Sequence, residues 1–240
     1  MGTFPVFGKN RKRRRGMIRC VAFDFDGTLV DSNRIKLQTF HDVVAGIEGG
    51  GEVMARVLDE APGDRHAIFA RFAEVIGSSR PLQNDCPEQR RQMGLALAAE
   101  YTRRCEDAVA ACPEIPGASA LLDRLREQGI VVAINSATPE QALLPIVARR
   151  RWGGVFACVS GGPGGKATNL EKLSAATGFA RGEIAMVGDQ EADRIGAAEF
   201  GCRFIALQRP ESNFALAPEC SISELKQLPG LIDRLCGVLP

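Results

Sequence analysis

The sequence predicts an α/β protein with a Rossmann-like parallel sheet, helices on both faces of that sheet, and a second, smaller, all-helical domain. The first observation is a regular alternation of strand and helix patterns after residue 113. The second is a stretch between residues 32 and 113 that has helical patterns and little strand propensity. The third is size: 240 residues, 45% hydrophobic and 25% charged, can form one core plus a small second module.

The first predicted strand is followed by helices only. Apolar residues predict a buried strand over residues 18–24. The segment from Ser32 to Pro113 is 82 residues long, which is enough for a four-helix domain. Its helical patterns cover residues 33–47, 51–60, 64–77 and 87–111, with turns at Gly49-Gly50-Gly51, at Pro62-Gly63 and between Gly77 and Pro87.

Strands and helices alternate in the second half of the chain. Helices are predicted at residues 117–128, 139–150, 169–177, 192–200 and near 223–236, and strands at 130–135, 155–159, 184–188 and 203–207. Ligand sites in parallel sheets of this kind lie at the carboxyl ends of the strands. We expect a core domain over residues 17–31 and 114–240, a helical domain over 32–113, and an arm over 1–16.

Two carboxylates follow the first strand, in the segment Asp24-Phe25-Asp26-Gly27-Thr28-Leu29-Val30-Asp31-Ser32. Alternate residues of a strand share a face, so Asp24 and Asp26 can reach one site where the strand ends. Two neighbouring acids repel each other unless a cation neutralises them, and Mg²⁺ prefers oxygen ligands. The alternative is an acidic turn that follows a strand by chance.

Three later segments place polar residues in comparable positions. Ser136 ends an apolar strand, where a hydroxyl and backbone N–H groups suit a phosphate oxygen, although Ser136 or Thr138 could instead cap the next helix. Lys166 follows the glycine-rich segment Gly161-Gly162-Pro163-Gly164-Gly165, and its alternative is an exposed loop lysine. Asp189 ends another strand, and Asp193 lies one helical turn further on.

In this order, the segments resemble the four motifs of the haloacid dehalogenase-like (HAD) phosphohydrolases. The resemblance covers residues 18–31 and about 114–225. It implies that Asp24 is the nucleophile and Asp26 the general acid/base. It also implies that Ser136 holds a phosphate oxygen, with backbone N–H groups nearby such as that of Ala137, and that Lys166 bridges the nucleophile and the phosphoryl group.

The resemblance also implies a Mg²⁺ cofactor. Its ligands would be Asp24, the backbone carbonyl of Asp26, and Asp189, with Asp193 bound directly or through water. Many relatives carry Ser or Thr after the Gly-Asp pair, whereas this chain has Gln190, which we expect to alter the hydrogen bonds around the metal ligands.

The helical segment lies where the family carries a C1-type cap, which implies a lid that limits substrate size. Asn33, Lys36, Leu37 and Phe40 form one helical stripe directly after Ser32. Asn33 or Lys36 could contact a substrate hydroxyl or carboxylate. The alternative is that Leu37 and Phe40 belong to the core while Lys36 is solvated.

The resemblance therefore implies a Mg²⁺-dependent phosphatase that acts on a small phosphorylated metabolite, in the phosphoglycolate phosphatase-like branch. Phosphoglycolate, sugar phosphates and nucleotides all stay open as substrates. A sugar-phosphate mutase shares these motifs and a helical cap and is the alternative enzyme. A non-catalytic binding protein with the same fold is the alternative from another class.

The first sixteen residues differ from the rest of the chain. They hold six Lys and Arg residues and no acid, so without them the formal net charge changes from +1 to −5. The arm is interpreted as a solvated tail, or as untranslated because synthesis begins at Met17. A nucleic-acid or anionic-membrane tether is the less favoured alternative. Eight scattered cysteines favour a reducing cytoplasm, and no apolar run has membrane-spanning length.

Overall fold

The computed structural model describes residues 17–60, 64–79, 86–150, 152–162 and 164–237. The arm, Pro163 and the turn at Pro62-Gly63 lie outside these residues, as does most of the turn between Gly77 and Pro87. The chain divides into two compact units. The sheet unit ends at Asp31 and resumes at Pro113, and the helical unit covers Ser32–Cys112.

The sheet unit contains a six-stranded sheet in which every paired strand is parallel. Its spatial order is β3-β2-β1-β4-β5-β6. The chain therefore adds strands to one side of β1 and then to the other. In such sheets ligands bind at the carboxyl ends of the two strands where this change of direction occurs, which here are β1 and β4. The strands are β1 (Cys20–Phe23), β2 (Val131–Ser136), β3 (Cys158–Gly161), β4 (Ile184–Gly188), β5 (Arg203–Leu207) and β6 (Ser221–Ile222).

The helices that accompany the sheet in the described ranges are α5 (Ala118–Glu127), α6 (Glu140–Arg149), α7 (Gly165–Thr177), α8 (Glu191–Phe200) and α9 (Leu228–Leu235). Leu170 and Leu173 of α7 and Phe200 of α8 pack on one face of the sheet, together with Cys20 and Met186. Val21 and Phe23 point to the other face and are fully buried as well, and α5 packs against β2. The predicted doubly covered parallel sheet is confirmed.

Several predicted boundaries were wrong. The strand predicted at residues 155–159 begins only at Cys158, because Val155 N–H donates to the Trp152 carbonyl in a turn (3.0 Å). Helix α7 begins at Gly165, four residues before its predicted start, so Lys166 lies in a helix rather than in a loop. Strand β6 was missed because two residues carry no periodicity. The last helix begins at Leu228 after a short 3₁₀ turn.

The helical unit contains α1 (Asn33–Val44), α2 (Gly50–Glu60), α3 (Arg65–Ser79) and α4 (Pro87–Ala111). Its core is aromatic at the centre: Phe40 stacks on Tyr101 with ring centroids 4.2 Å apart, and Phe69 packs on both rings. Leu37, which the sequence left open as a core residue, is exposed. Within the described ranges, no helix combines the length and apolarity that crossing a bilayer requires.

Two cysteines of the sheet unit have the character of small apolar residues. Burial raises the pKa of the Cys20 thiol to about 12, with a further contribution from Cys158 and Cys202. Burial also raises the pKa of Cys202 to about 12. Both thiols therefore stay protonated at neutral pH, which agrees with their packing against the apolar side chains under α7 and α8.

Candidate active site

The side chain of Asp24 lies at the carboxyl end of β1, in the centre of the sheet. Its backbone N–H donates to the Val187 carbonyl (2.8 Å), which extends the β1–β4 pairing by one residue. Its Oδ1 accepts the backbone N–H of Phe25 (2.7 Å) and Lys166 Nζ (2.6 Å). Asp24 is only 7% exposed, so this carboxylate has a fixed orientation and little contact with water.

A tight turn after β1 positions Asp26. The N–H groups of Leu29 and Val30 both donate to the Phe25 carbonyl, and Gly27 has φ 76°, which a residue with a side chain rarely adopts. Asp26 is half-buried, and its Oδ2 accepts a hydrogen bond from Thr138 Oγ1 (2.8 Å). The two acids of the turn therefore differ: Asp24 faces an ammonium group, and Asp26 faces a hydroxyl.

Lys166 connects the elements of this site. Its ammonium donates to Asp24 Oδ1 (2.6 Å) and to the Asn135 carbonyl (2.8 Å), and it lies 2.7 Å from Asp193 Oδ1. The ammonium therefore forms two hydrogen bonds and one further ion-pair contact. Burial alone would lower the pKa of Lys166, but the carboxylates of Asp24 and Asp193 raise it above its usual value. Lys166 is therefore a buried, charged group and not an exposed lysine.

Asp189 and Asp193 complete the set of acids at the end of β4 and the start of α8. Thr28 Oγ1 donates to Asp189 Oδ1 (2.9 Å), and Gln190 Nε2 donates to Asp189 Oδ2 (2.8 Å). Asp193 Oδ2 accepts the backbone N–H of Gln190 (3.1 Å), which caps the first turn of α8. Both acids are fully buried. That the hydrogen bond from Gln190 differs from that of relatives with Ser or Thr at this position stays a prediction.

Asp193 depends on a glycine for its position. A Cβ atom at Gly188 would lie 2.2 Å from Asp193 Oδ2, far inside contact distance. We expect Gly188→Ala to displace Asp193 and to destabilise the fold by about 1–3 kcal/mol, the usual cost of overpacking. Urea denaturation measures the loss. Gly182→Ala is the control, since nothing lies within 4 Å of a Cβ there. Equal stability of the two variants would contradict this account of Gly188.

Ser136 and its neighbours lie at the end of β2. Ser136 is 1% exposed, and its Oγ accepts the backbone N–H of Thr138 (3.0 Å). Neither Ser136 nor Thr138 caps the next helix, because α6 begins after Pro139 without a side-chain cap. The helix-cap alternative is therefore wrong, and both hydroxyls lie within the turn. Ala137 is exposed.

Asn33 and Lys36 belong to the helical unit. Both lie in the first turn of α1 and are half-buried. Their contact with a substrate stays a prediction.

Several residues of the site were not predicted as functional. Asn135 Nδ2 donates to the Lys166 carbonyl (3.0 Å), and Asn169 Nδ2 donates to Asn135 Oδ1 (3.1 Å). Ser212 Oγ donates to the Asp189 carbonyl (2.7 Å) and accepts the N–H of Arg209 (3.1 Å). Of these residues, only Asn135 could have been recognised from the sequence. Its amide stands within an apolar strand, and a buried amide needs hydrogen-bond partners.

The charges of the site are unbalanced in the absence of a further cation. Asp24, Asp189 and Asp193 each offer an oxygen, all within 4.8 Å of one another, and all three residues are buried. One ammonium faces these three acids. Burial, and next the proximity of Asp193, raise the pKa of Asp24 well above its usual range, and Lys166 acts in the opposite direction. The three carboxylates offer oxygen atoms as their only donors, and oxygen donors suit a hard divalent cation such as Mg²⁺. These residues therefore fit the expected metal.

The sequence matches the family model for the haloacid dehalogenase-like hydrolases over residues 18–201. The chain therefore belongs to the haloacid dehalogenase-like hydrolase family, and it is a hydrolase of the α/β class. No curated protein matches it.

Solved structures share the fold at low sequence identity. A predicted phosphoglycolate phosphatase from Haemophilus somnus 129pt is 17% identical with a TM-score of 0.70, over 89% of this chain and 97% of that one. A mutant of CbbY from Rhodobacter sphaeroides, in complex with xylulose-(1,5)-bisphosphate, is 16% identical with a TM-score of 0.65, over 88% and 96%. The magnesium-bound HAD-hydrolase YfnB from Bacillus subtilis is 16% identical with a TM-score of 0.65, over 90% and 99%.

Proposed function

We propose that the protein is a Mg²⁺-dependent phosphatase that hydrolyses a small phosphorylated metabolite through an aspartyl-phosphate on Asp24. The observation that carries the proposal is the buried ion-pair cluster in which Lys166 Nζ lies 2.6 Å from Asp24 and 2.7 Å from Asp193. A second carboxylate, that of Asp26, follows within the same turn. This pair gives the site both a nucleophile and a separate proton donor, which phosphate ester hydrolysis needs.

In the first step, an oxygen of Asp24 attacks phosphorus in line with the ester oxygen. The bond from phosphorus to the ester oxygen breaks as the new bond to Asp24 forms, and Asp26 gives its proton to the departing alkoxide. Asp26 is half-buried and hydrogen-bonded to the neutral hydroxyl of Thr138. It is therefore placed to exchange a proton with a substrate, while Asp24 is held for attack by Lys166.

In the second step, Asp26 takes a proton from a water molecule that attacks the phosphorus of the aspartyl-phosphate. The bond to Asp24 breaks, phosphate leaves, and both carboxyl groups return to their starting states. The charge on the transferring phosphoryl oxygens is offset by the ammonium of Lys166, with the Ser136 hydroxyl and the Ala137 N–H as further donors.

Asp24, Asp189 and Asp193, with the backbone carbonyl of Asp26, would hold the Mg²⁺ ion. When bound, this ion supplies positive charge that offsets the phosphate and the acids around it. Thr28, Gln190 and Ser212 hold Asp189 through its side chain and its carbonyl, so they orient one metal ligand.

We assign the helical unit as a cap that restricts the substrate to small esters. Asn33 and Lys36 are its candidate substrate contacts, since both lie at the start of α1, directly after the chain leaves the sheet unit. The neighbour CbbY binds xylulose-(1,5)-bisphosphate, and such a sugar phosphate, like phosphoglycolate, is of the size class proposed here.

The proposal is tested by phosphate release from a panel of small phosphate esters, with Mg²⁺ and with EDTA. We expect release from one or a few esters in Mg²⁺ and none above background in EDTA. Chains that start at Met1 and at Met17 are compared, and equal rates are expected because the arm supplies none of the proposed site residues. No release from any ester, in a folded protein that binds Mg²⁺, would overturn the phosphatase assignment in favour of a mutase or a binding protein.

A further inference from the structure

The helical unit contains a cavity of about 660 Å³ between α2, α3 and α4. Four of the described lining residues are arginines: Arg56 from α2, Arg71 from α3, and Arg90 and Arg91 from the N-terminal end of α4. Glu74 is the acid among the described lining residues. Small-molecule sites in proteins are usually concave and of roughly 300–1,000 Å³, so this cavity has the size of a ligand site.

Two of these guanidinium groups are held only loosely by neighbouring acids. Arg71 lies 3.7 Å from Glu60 and 3.5 Å from Glu74, and Arg56 lies 3.9 Å from Glu60. These distances exceed good hydrogen-bond length, and exposed ion pairs of this kind contribute little to stability. An anion in the cavity could therefore take over both arginines at small cost.

The other two arginines have defined positions. Arg91 donates from Nε and Nη2 to Glu88 (2.9 and 2.7 Å), which fixes its planar fork beside the cavity. Arg90 lies across α3 at Gly77, where an added Cβ would come within 2.8 Å of Arg90 Nε. The absence of a side chain at Gly77 thus lets the Arg90 stem pack on the helix, with Nη1 3.5 Å from Ser78 Oγ.

From this geometry we infer that the cavity is a second binding site, for a small phosphate-bearing anion with more than one negative charge. Guanidinium groups match the oxygens of a phosphate, and the four arginines outnumber Glu74, the acid among the described lining residues, so the lining favours anions. The concave shape favours a small molecule over the surface of a macromolecule. All of the described lining residues belong to the helical unit, and none of them is an acid of the sheet unit.

The test uses inorganic pyrophosphate as the probe and the full chain in EDTA, where the uncompensated acids of the sheet unit repel anions. Isothermal titration calorimetry is expected to detect binding to the wild type. Loss of two charge-assisted contacts in R71Q/R90Q is expected to weaken this binding by about tenfold or more. The control is R103Q/R104Q, which also removes two positive charges from the helical unit. Both residues pair with Glu100 on α4, and neither is among the described lining residues.

Hydrogen exchange of the wild type gives a second readout that does not depend on whether a variant folds. Pyrophosphate is expected to protect amides in residues 70–78 and 87–91. The inference is overturned if pyrophosphate does not bind, if both double variants weaken binding equally, or if protection appears at residues 136–138 instead. Binding of hexaglutamate at the cavity without binding of pyrophosphate would overturn it in favour of an acidic protein partner.

Discussion

Asp24→Asn is expected to abolish phosphate release while the fold survives. The amide cannot attack phosphorus, and loss of a nucleophile lowers turnover by about 10⁴-fold or more in comparable enzymes. The fold should persist because asparagine keeps the side-chain volume, and because removing one of three neighbouring buried acids relieves their mutual repulsion. Lys166 keeps Asp193 and the Asn135 carbonyl as partners.

The measurement combines steady-state phosphate release with thermal unfolding followed by circular dichroism. Asp123→Asn is the matched control, since Asp123 is an exposed acid on α5. Mass spectrometry of the purified Asp24→Asn protein checks that the introduced amide has not reverted to a carboxylate by deamidation. Near-native turnover in a verified variant would show that Asp24 is not the nucleophile.

The fold could be predicted because most of its strands and helices carry a recognisable hydrophobic pattern in the sequence. The runs that became β1, β2, β4 and β5 are apolar throughout or nearly so, as strands covered on both faces must be. Where periodicity was short, prediction failed: β6 has two residues, and the residues before β3 form a turn instead of a strand. Helix α7 was predicted to start too late because glycines at 164 and 165 suggested a loop.

The strand ends brought Asp24, Ser136 and Asp189 to one edge of the sheet, and that much follows from topology alone. The contacts that orient them do not. Thr138 reaches Asp26 across 112 positions of sequence, and Ser212 reaches the Asp189 carbonyl across 23. Such pairs depend on how loops pack over the strand ends, and a single sequence carries no pattern for them. Asn135 was visible only as a polar residue inside an apolar run.

Lys166→Met is expected to remove turnover and, unlike Asp24→Asn, to destabilise the protein. Methionine keeps most of the side-chain volume but leaves the carboxylates of Asp24 and Asp193 buried without their ammonium partner. Removing one member of a buried ion pair usually costs about 3–5 kcal/mol. Urea denaturation in EDTA measures this loss. Lys172→Met is the matched control on the same helix, since Lys172 is exposed.

Two further comparisons separate lost charge from lost packing. If charge is the cause, saturating Mg²⁺ should restore part of the stability of Lys166→Met, because a bound cation neutralises the same acids. The double variant K166M/D193N should also lose less than the sum of its single variants, since it removes one of the uncompensated acids. Additive losses, with no response to Mg²⁺, would assign Lys166 a packing role. A charge origin would mean that the lysine holds together the acids that the proposed chemistry requires.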